Sequence, residues 1–265
     1  MGKLFGILLT AITLASAAIF AAHIWWMPGN ISAQGAAVDR LMRDTLAGTG
    51  FLFLVAQLLL AVFAWQFGEH RNGTVSNFPG GPRPLIVLAV LVVGIEIAAF
   101  TFLGSKVWAS VYMRAAQTGE LAIDVQAEQF AFYFRYAGPD GKFGALHPDL
   151  INEATNNFFG LDPANDSAAR DDIVSGTLAV PVNRPVLLTL HPQDVGHSFY
   201  VPELRIQQDF VPGLIIPVRF TAVRTGRYEI VCTQLCGLGH YSMRAYLEVM
   251  QPDEFDAWLK ANQAK

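Results

Sequence analysis

Charged residues and cysteine are both scarce in this sequence. Only 15% of the 265 residues are Asp, Glu, Lys or Arg, whereas 52% are hydrophobic, which is too apolar a composition for a soluble domain of this length. The formal net charge of −4, without a basic patch, argues against a nucleic-acid partner. With only two cysteines in the chain, a disulfide framework is excluded as well.

The apolar excess lies in the first 110 or so residues, where three runs are long enough to cross a lipid bilayer. These runs cover about residues 4–26, 46–67 and 85–107. The first ends at Trp25-Trp26, a pair that suits a membrane interface, but its small residues Ala15-Ser16-Ala17 also fit a cleaved signal peptide. Because the chain begins at Met1, we expect a retained helix.

The orientation follows from the loop between the second and third runs, residues 70–84. This loop carries Arg71 and Arg83 and predicts a cytoplasmic location. Everything after residue 110 then lies outside, and the N-terminus lies inside. Glu96 is placed deep in the third run, where a carboxylate is costly; it predicts either a buried bond between helices or a proton pathway.

From about Leu121 the pattern changes to short strands. Phe130, Phe132, Phe134 and Tyr136 alternate with other residues, which indicates a strand with one buried face. Further strand-like runs, separated by turn residues, cover 177–182, 185–191, 215–222, 228–231 and 244–250. Short strands without intervening helical patterns predict a β-sandwich or Greek-key barrel.

The predicted organisation therefore has three parts. Residues 1–110 form a helical membrane anchor, residues 111–252 form the β domain, and residues 253–265 form a C-terminal helix and tail with Trp258 packed on the body. The β domain contains a polar insertion at about 142–172, with six carboxylates against one arginine, Arg170, after position 148. Such a segment is either simply solvated or a negative surface that steers a basic electron donor.

Both cysteines belong to a motif of the form C-x3-C-x3-H-x2-M, made of Cys232, Cys236, His240 and Met243. Thiolate, imidazole and thioether are ligands that suit copper. Two cysteines at this spacing allow both sulfurs to bridge two copper ions, which requires a second imidazole from elsewhere. His197 is well placed in the sequence to supply it.

Three other interpretations of the motif stay open at this point. Cys232, Cys236 and His240 could be core residues on one face of a helix. They could bind zinc together with His197, although the spacing differs from that of zinc fingers. They could form a disulfide, which this spacing disfavours geometrically. Glycines at 237 and 239 favour a loop, where ligands can converge, and the copper interpretation leads.

With His197 added, the Cys232–Met243 motif resembles that of subunit II of the haem–copper oxidases, the cytochrome c oxidase superfamily. The segments 129–136, 194–198 and 208–213 also resemble family segments, and the likeness covers roughly residues 40–250. The resemblance implies a two-helix membrane hairpin, here with one extra N-terminal helix, followed by a cupredoxin-like Greek-key β-sandwich.

The resemblance also implies the binuclear copper centre called CuA. Cys232 and Cys236 would bridge both ions, His197 and Met243 would complete one, and His240 with the backbone carbonyl of Gln234 would complete the other. Electrons would enter from cytochrome c or a similar donor and pass to haem in catalytic subunit I, which holds haem and CuB and reduces oxygen. Subunit III, the lipid bilayer and a bacterial-type inner membrane, with the β domain on the periplasmic face, complete the expected setting.

Two departures from the family pattern matter. Gln234 stands where many members have a glutamate that also binds magnesium, and an amide is a poorer ligand, which argues against that ion here. Phe130 replaces the tryptophan through which electrons usually enter. We expect Phe130 and Phe132 near the electron entry, Asp194 and Asp209 around the ligands, and Tyr241 packed against the site.

Two alternative functions remain at this stage. One is the CuA subunit of a haem–copper nitric oxide reductase, which subunit II alone cannot distinguish because it does not touch the substrate. The other is a membrane-anchored copper-binding or copper-delivery protein, which would bind one exchangeable ion and purify alone.

Overall fold

A computed structural model of the chain describes residues 2–23, 26–68 and 83–263. Three helices are long and apolar enough to cross a membrane: α1 (Gly2–Ala21), α2 (Gly35–Phe67) and α3 (Arg83–Tyr112). Apart from Arg83 and Pro84, the loop predicted to be cytoplasmic lies outside the described residues, as does Trp25.

Helix α2 begins well before the second apolar run. Its first turns carry Asp39, Arg40, Arg43 and Asp44, so the apolar run marks the segment that can cross a membrane and not the full helix. The start of α2 is capped, because the Ser32 hydroxyl accepts a hydrogen bond of 3.0 Å from the Gly35 amide.

The segment between α1 and α2 packs on the β domain. Ser32 forms a β-bridge with Ala222, and its hydroxyl donates to the Leu204 carbonyl at 2.7 Å. Ile31 is only 2% exposed, and its amide donates to the Glu203 carbonyl at 2.9 Å. This segment therefore belongs to the same compact unit as the β domain.

Among the described residues, the β domain contains ten strands, which in chain order are β1 (Leu121–Glu128), β2 (Ala131–Tyr136), β3 (Ile173–Ser175), β4 (Thr177–Pro181), β5 (Pro185–Pro192), β6 (His197–Val201), β7 (Ile206–Phe210), β8 (Ile216–Thr221), β9 (Gly226–Val231) and β10 (Arg244–Met250). They make two five-stranded sheets, in the orders β3-β2-β1-β5-β8 and β4-β10-β9-β6-β7. The pairs β1–β5 and β4–β10 are parallel, and the other pairs are antiparallel. The sheets enclose one apolar core, and the predicted architecture of apolar helices followed by a cupredoxin-like β-sandwich is confirmed.

The chain ends in helix α4 (Pro252–Gln263), which packs on the sandwich as the position of Trp258 predicted. The Trp258 ring stacks on Phe255 at 6.1 Å and meets Tyr136 edge-on at 5.1 Å between ring centroids. Phe255 is 1% exposed, so α4 closes one side of the core.

The alternation in β2 predicts an outward-facing Arg135, and the structure contradicts this. Arg135 is fully buried because the insertion after β2 folds over it. Its guanidinium lies 2.6 Å from Asp172 and 3.5 Å from Asp124. A period-two pattern cannot foresee a cover that comes from a distant loop.

The insertion uses much of its negative charge internally. Asp166 accepts hydrogen bonds from the amides of Ala145 and Ala168, at 2.7 and 3.0 Å. Asp171 accepts one from the amide of Asp140, and Asp172 pairs with Arg135. Asp149 and Glu153 remain exposed, so steering of a basic donor by the whole segment is less favoured.

Candidate metal centre

The predicted ligands come from three neighbouring strands of one sheet. His197 begins β6, Cys232 follows the end of β9, and Met243 immediately precedes β10. Since β9 is antiparallel to both neighbours, these three points lie at the same edge. The amide of Cys232 donates to the carbonyl of Met243 at 3.2 Å and closes the loop that carries the motif.

Within this loop the chain is not α-helical, which removes the interpretation of a helical core face. A single 3₁₀ turn covers His240–Ser242. Gly237 has a φ of +135°, in a region that side chains disfavour, and permits the turn after Cys236.

The loop brings the sulfur and nitrogen ligands together. The Cys236 sulfur lies 3.9 Å from that of Cys232, 3.7 Å from the Met243 sulfur and 3.6 Å from Nδ1 of His240. The carbonyl oxygen of Gln234 lies 3.2 Å from the Cys232 sulfur. Both cysteines are free thiols, and their separation is far above the roughly 2.05 Å of a disulfide.

His197 joins this cluster from the neighbouring strand. A ligand atom of His197 and the two cysteine sulfurs all lie within 4.8 Å of one another. Its Nε2 lies 2.8 Å from Oδ1 of Asp194, whereas its buried Nδ1 has no hydrogen-bond partner. With the proton on Nε2, the Asp194 carboxylate orients the ring and leaves the Nδ1 lone pair available for a metal ion.

Burial and mutual proximity shape the titration of the site. Burial and the neighbouring Cys232 raise the pKa of the Cys236 thiol to about 11. Burial also acts to raise the pKa of the Asp194 carboxyl, but hydrogen bonds from His197, Val195 and Gln129 outweigh it and hold that pKa below its usual value. The site thus pairs a protonated Cys236 thiol, whose proton a metal ion must displace, with a carboxylate that stays ionised.

The donor set fits copper. Two thiolates and a thioether are soft ligands and two imidazoles are borderline, whereas a backbone carbonyl can add only a weak contact. The unpartnered Nδ1 of His197 is a buried atom that a metal ion would satisfy. The unusual spacing already disfavoured a zinc finger, and a thioether with a carbonyl fits zinc less well than copper.

The turn between β1 and β2 also touches the site, and the ligand motif gave no indication of this. The amide of Gln129 donates to Oδ2 of Asp194 at 2.8 Å, and its side-chain Nε2 donates to the carbonyl of Cys236. The two glycines of the motif loop predicted only a loop in which ligands converge, and not the approach of this turn.

The aromatic residues divide into exposed and buried members. Phe130 is 39% exposed, and its ring lies against the backbone of Gly237 and Gly239. Phe132 is buried, with its ring centroid 6.0 Å from that of Phe210. Tyr241 is 90% exposed, so the expectation that it packs against the site is wrong: the 3₁₀ turn directs it outward.

The remaining predicted residues stand apart from the cluster. Asp209 lies opposite Ser198 in the β6–β7 ladder, and no hydrogen bond joins its carboxylate to a predicted ligand in the part of the chain that the structure describes. Glu96 lies within α3, is partly exposed and belongs to the helical unit.

Comparisons with known proteins point in one direction. The family model for the periplasmic domain of cytochrome c oxidase subunit II matches residues 157–250. The alternative cytochrome c oxidase subunit 2 of Bradyrhizobium diazoefficiens is 32% identical over 238 residues, which cover 89% of this chain and 83% of that protein. Cytochrome c oxidase subunit 2 of Thermostichus vulcanus is 46% identical, covering 91% of this chain and 80% of that protein.

A solved structure, the periplasmic domain of subunit II of cytochrome oxidase of Bradyrhizobium japonicum, is 24% identical and has a TM-score of 0.41. The matched region covers 57% of this chain and 98% of the chain in the solved structure. The score is low, and the fold assignment stands on the strand topology.

Proposed function

Since this chain belongs to the cytochrome c oxidase subunit 2 family, we propose that it is the electron-entry subunit of a haem–copper terminal oxidase. It would accept electrons from cytochrome c or a similar donor and pass them to haem in the catalytic subunit, which reduces oxygen. Three apolar helices and a β domain of the periplasmic family type fit a membrane protein whose β domain is periplasmic.

One observation carries the proposal: His197 buries an unpartnered Nδ1 beside two free thiols. We propose that Cys232 and Cys236 bridge two copper ions, that His197 and Met243 complete one, and that His240 and the Gln234 carbonyl complete the other. The bound pair would supply one-electron transfer with little change of geometry.

The chain's own residues hold and shield this centre. His197 is fully buried, and Cys236 and Met243 are 4% and 2% exposed, so these three side chains are shielded from solvent, whereas His240 is half-buried. Asp194 orients the His197 ring through the 2.8 Å hydrogen bond. Such an enclosure limits the rearrangement of solvent when charge arrives or leaves.

Electron entry is proposed at Phe130. Its ring is partly exposed and contacts the loop between Cys236 and His240, so it joins the protein surface to the ligands. Burial raises the pKa of Glu128, which ends β1 beside this turn, and the negative charges of Glu153 and Asp194 raise it further. Glu153 is exposed, so the negative charge near Phe130 suits a donor with a basic surface.

As a family member, the chain is part of an oxidase complex with other subunits. We propose a catalytic subunit I with haem and CuB, a subunit III, and a bacterial-type inner membrane. Glu96 of α3 would face either a partner helix or a proton pathway in that complex.

The direct test is copper quantitation and electron paramagnetic resonance of the full-length protein purified in detergent. Two coppers per chain with a multi-line signal from one electron shared between them are expected. One copper with a four-line signal would instead indicate a blue-type or delivery protein. Bound zinc without copper would contradict the assignment.

A further inference from the structure

The tip of the β1–β2 hairpin, residues 129 and 130, contacts both ligand-bearing loops. The amide of Gln129 donates to Oδ2 of Asp194, whose Oδ1 contacts His197. The Gln129 carboxamide donates to the carbonyl of Cys236. Gln129, which belongs to a hairpin of the opposite sheet, therefore links Asp194, the hydrogen-bond partner of His197, to the backbone of Cys236.

The close approach of this tip determines the residues allowed on the motif loop. A Cβ atom at Gly237 would lie 2.6 Å from Nε2 of Gln129, and one at Gly239 would lie 2.5 Å from the Phe130 ring. Real Cβ atoms do not approach this closely, so Gly239 is needed for the Phe130 ring to seat, whereas at Gly237 the flexible end of Gln129 can move and the φ of +135° is the stronger constraint. The loop from Cys236 to His240 therefore packs between the cluster of predicted ligand side chains and the tip of the hairpin.

Elsewhere the two ligand segments share few direct ties. His197 and Cys232 belong to neighbouring strands, but the β6–β9 ladder contains the single pair Tyr200–Val231 among the described residues. Strands β6 and β9 are each held by their other neighbours, β7 and β10, but the direct ladder between them is short, and Gln129 supplies a second link between the two ligand segments.

From this geometry we propose that Gln129 is a positioning residue for the copper centre. It fixes the spacing between the Asp194–His197 pair and the Cys236–His240 loop, and so the arrangement of the ligands. The inference rests on the proposed function, because the ligands it positions are those of the binuclear centre.

The test uses full-length, copper-loaded protein in detergent and compares two substitutions of nearly equal shape. Gln129→Met removes the donated hydrogen bond, and Gln129→Glu places an acceptor against the Cys236 carbonyl. Both keep the main-chain bond to Asp194. We expect a changed copper hyperfine pattern and copper release to a chelator that is roughly tenfold to a hundredfold faster, with Gln129→Glu the stronger.

Gln126→Met is the matched control. Gln126 lies on the same hairpin, and its side chain donates to the Phe158 carbonyl and to Gln193, with no hydrogen bond to Asp194 or to a predicted ligand among the described residues. If Gln129 acts only by stabilising the hairpin, Gln126→Met will alter the copper signal in the same way, and the inference is overturned.

The remaining outcomes separate the two proposals. A two-copper signal that is normal in the wild type and unchanged in both Gln129 variants would overturn the positioning role alone. A wild-type chain without a two-copper signal would overturn the proposed function, and the positioning role with it.

Discussion

Two places in the β-sandwich bury polar side chains, and they do so in opposite ways. The first, here called the arginine cluster, consists of Arg135, Asp124 and Asp172. Arg135 and Asp172 have fully buried side chains 2.6 Å apart, and the guanidinium also donates to the carbonyl of Gly144. The buried positive charge therefore has its counter-charges within the chain.

The metal cluster consists of His197, Cys232 and Cys236, and it holds no such internal counterpart. Nδ1 of His197 is buried without a partner, and the two thiols face one another and a thioether. Leaving a buried polar atom unpaired costs about 1–3 kcal/mol. The arginine cluster balances its charges within the chain, although Oδ1 of Asp172 is also buried without a hydrogen-bond partner, whereas the metal cluster needs a cation from outside.

Cys236→Ser is expected to have the largest effect on this contrast. A hydroxyl stays protonated and is a hard ligand, so it cannot bridge two copper ions. Because binding energies at such sites are on the order of 10 kcal/mol, the two-copper signal and the thermal stabilisation by copper should both disappear. Copper quantitation and thermal unfolding with and without copper measure this.

Ser242→Ala is the matched control for that loop. Its hydroxyl bonds only the Gly239 carbonyl, at 2.9 Å, so copper stoichiometry should be unchanged. Two coppers retained in Cys236→Ser would show that Cys236 is not a bridging ligand.

Arg135→Met should produce the next largest effect, which is on the stability of the fold and not on copper binding. The substitution leaves Asp172 buried without its cation, which costs about 3–5 kcal/mol of unfolding free energy. Denaturant unfolding of the copper-free chain should show the loss. Adding Asp172→Asn should recover part of it, and failure of the second change to help would contradict the pairing argument.

Copper uptake at the metal cluster should depend on pH. The Cys236 thiol has its pKa raised to about 11, so it is protonated between pH 6 and 9. Copper must displace this proton, and affinity should rise about tenfold per pH unit for each thiol proton released. Competition with a chelator across that range measures the slope, and a flat profile would contradict it.

The copper-free protein should respond to pH in the opposite sense. Because the pKa of the Cys236 thiol is higher in the folded chain than in the unfolded chain, the protonated thiol favours folding. This contribution to the free energy of unfolding is complete below the ordinary thiol pKa of 9.0 and is lost as pH rises toward 11. Thermal unfolding of the copper-free chain between pH 8 and 11 should therefore show falling stability.

The sequence predicts local patterns well and long-range covers poorly. The three long apolar helices, most of the strands and the motif of Cys232 to Met243 follow from periodicity and spacing. Strands β3, β6 and β7 do not, and the meeting of His197, Cys232 and Met243 at one end of a sheet depends on the strand order. The burial of Arg135 and the contact of Gln129 do not, because each depends on a segment distant in sequence folding over it. The exposure of Tyr241 has a different, local origin: a short 3₁₀ turn, which the spacing does not reveal, contains this residue.

Asp194→Asn should give the smallest effect and tests the carboxylate that hydrogen-bonds His197 of the metal cluster. Asp194 accepts hydrogen bonds from His197, from the Val195 amide at 2.7 Å and from the Gln129 amide at 2.8 Å. An amide keeps the shape but loses the charge and one acceptor, so copper affinity should fall by roughly tenfold. Asp166→Asn removes a carboxylate that likewise accepts two backbone amides, but in the insertion, and it should leave copper affinity unchanged. Equal losses in both variants would mean that Asp194 only stabilises its loop, and the distinction between paired structural charges and ligand-orienting ones would not extend to it.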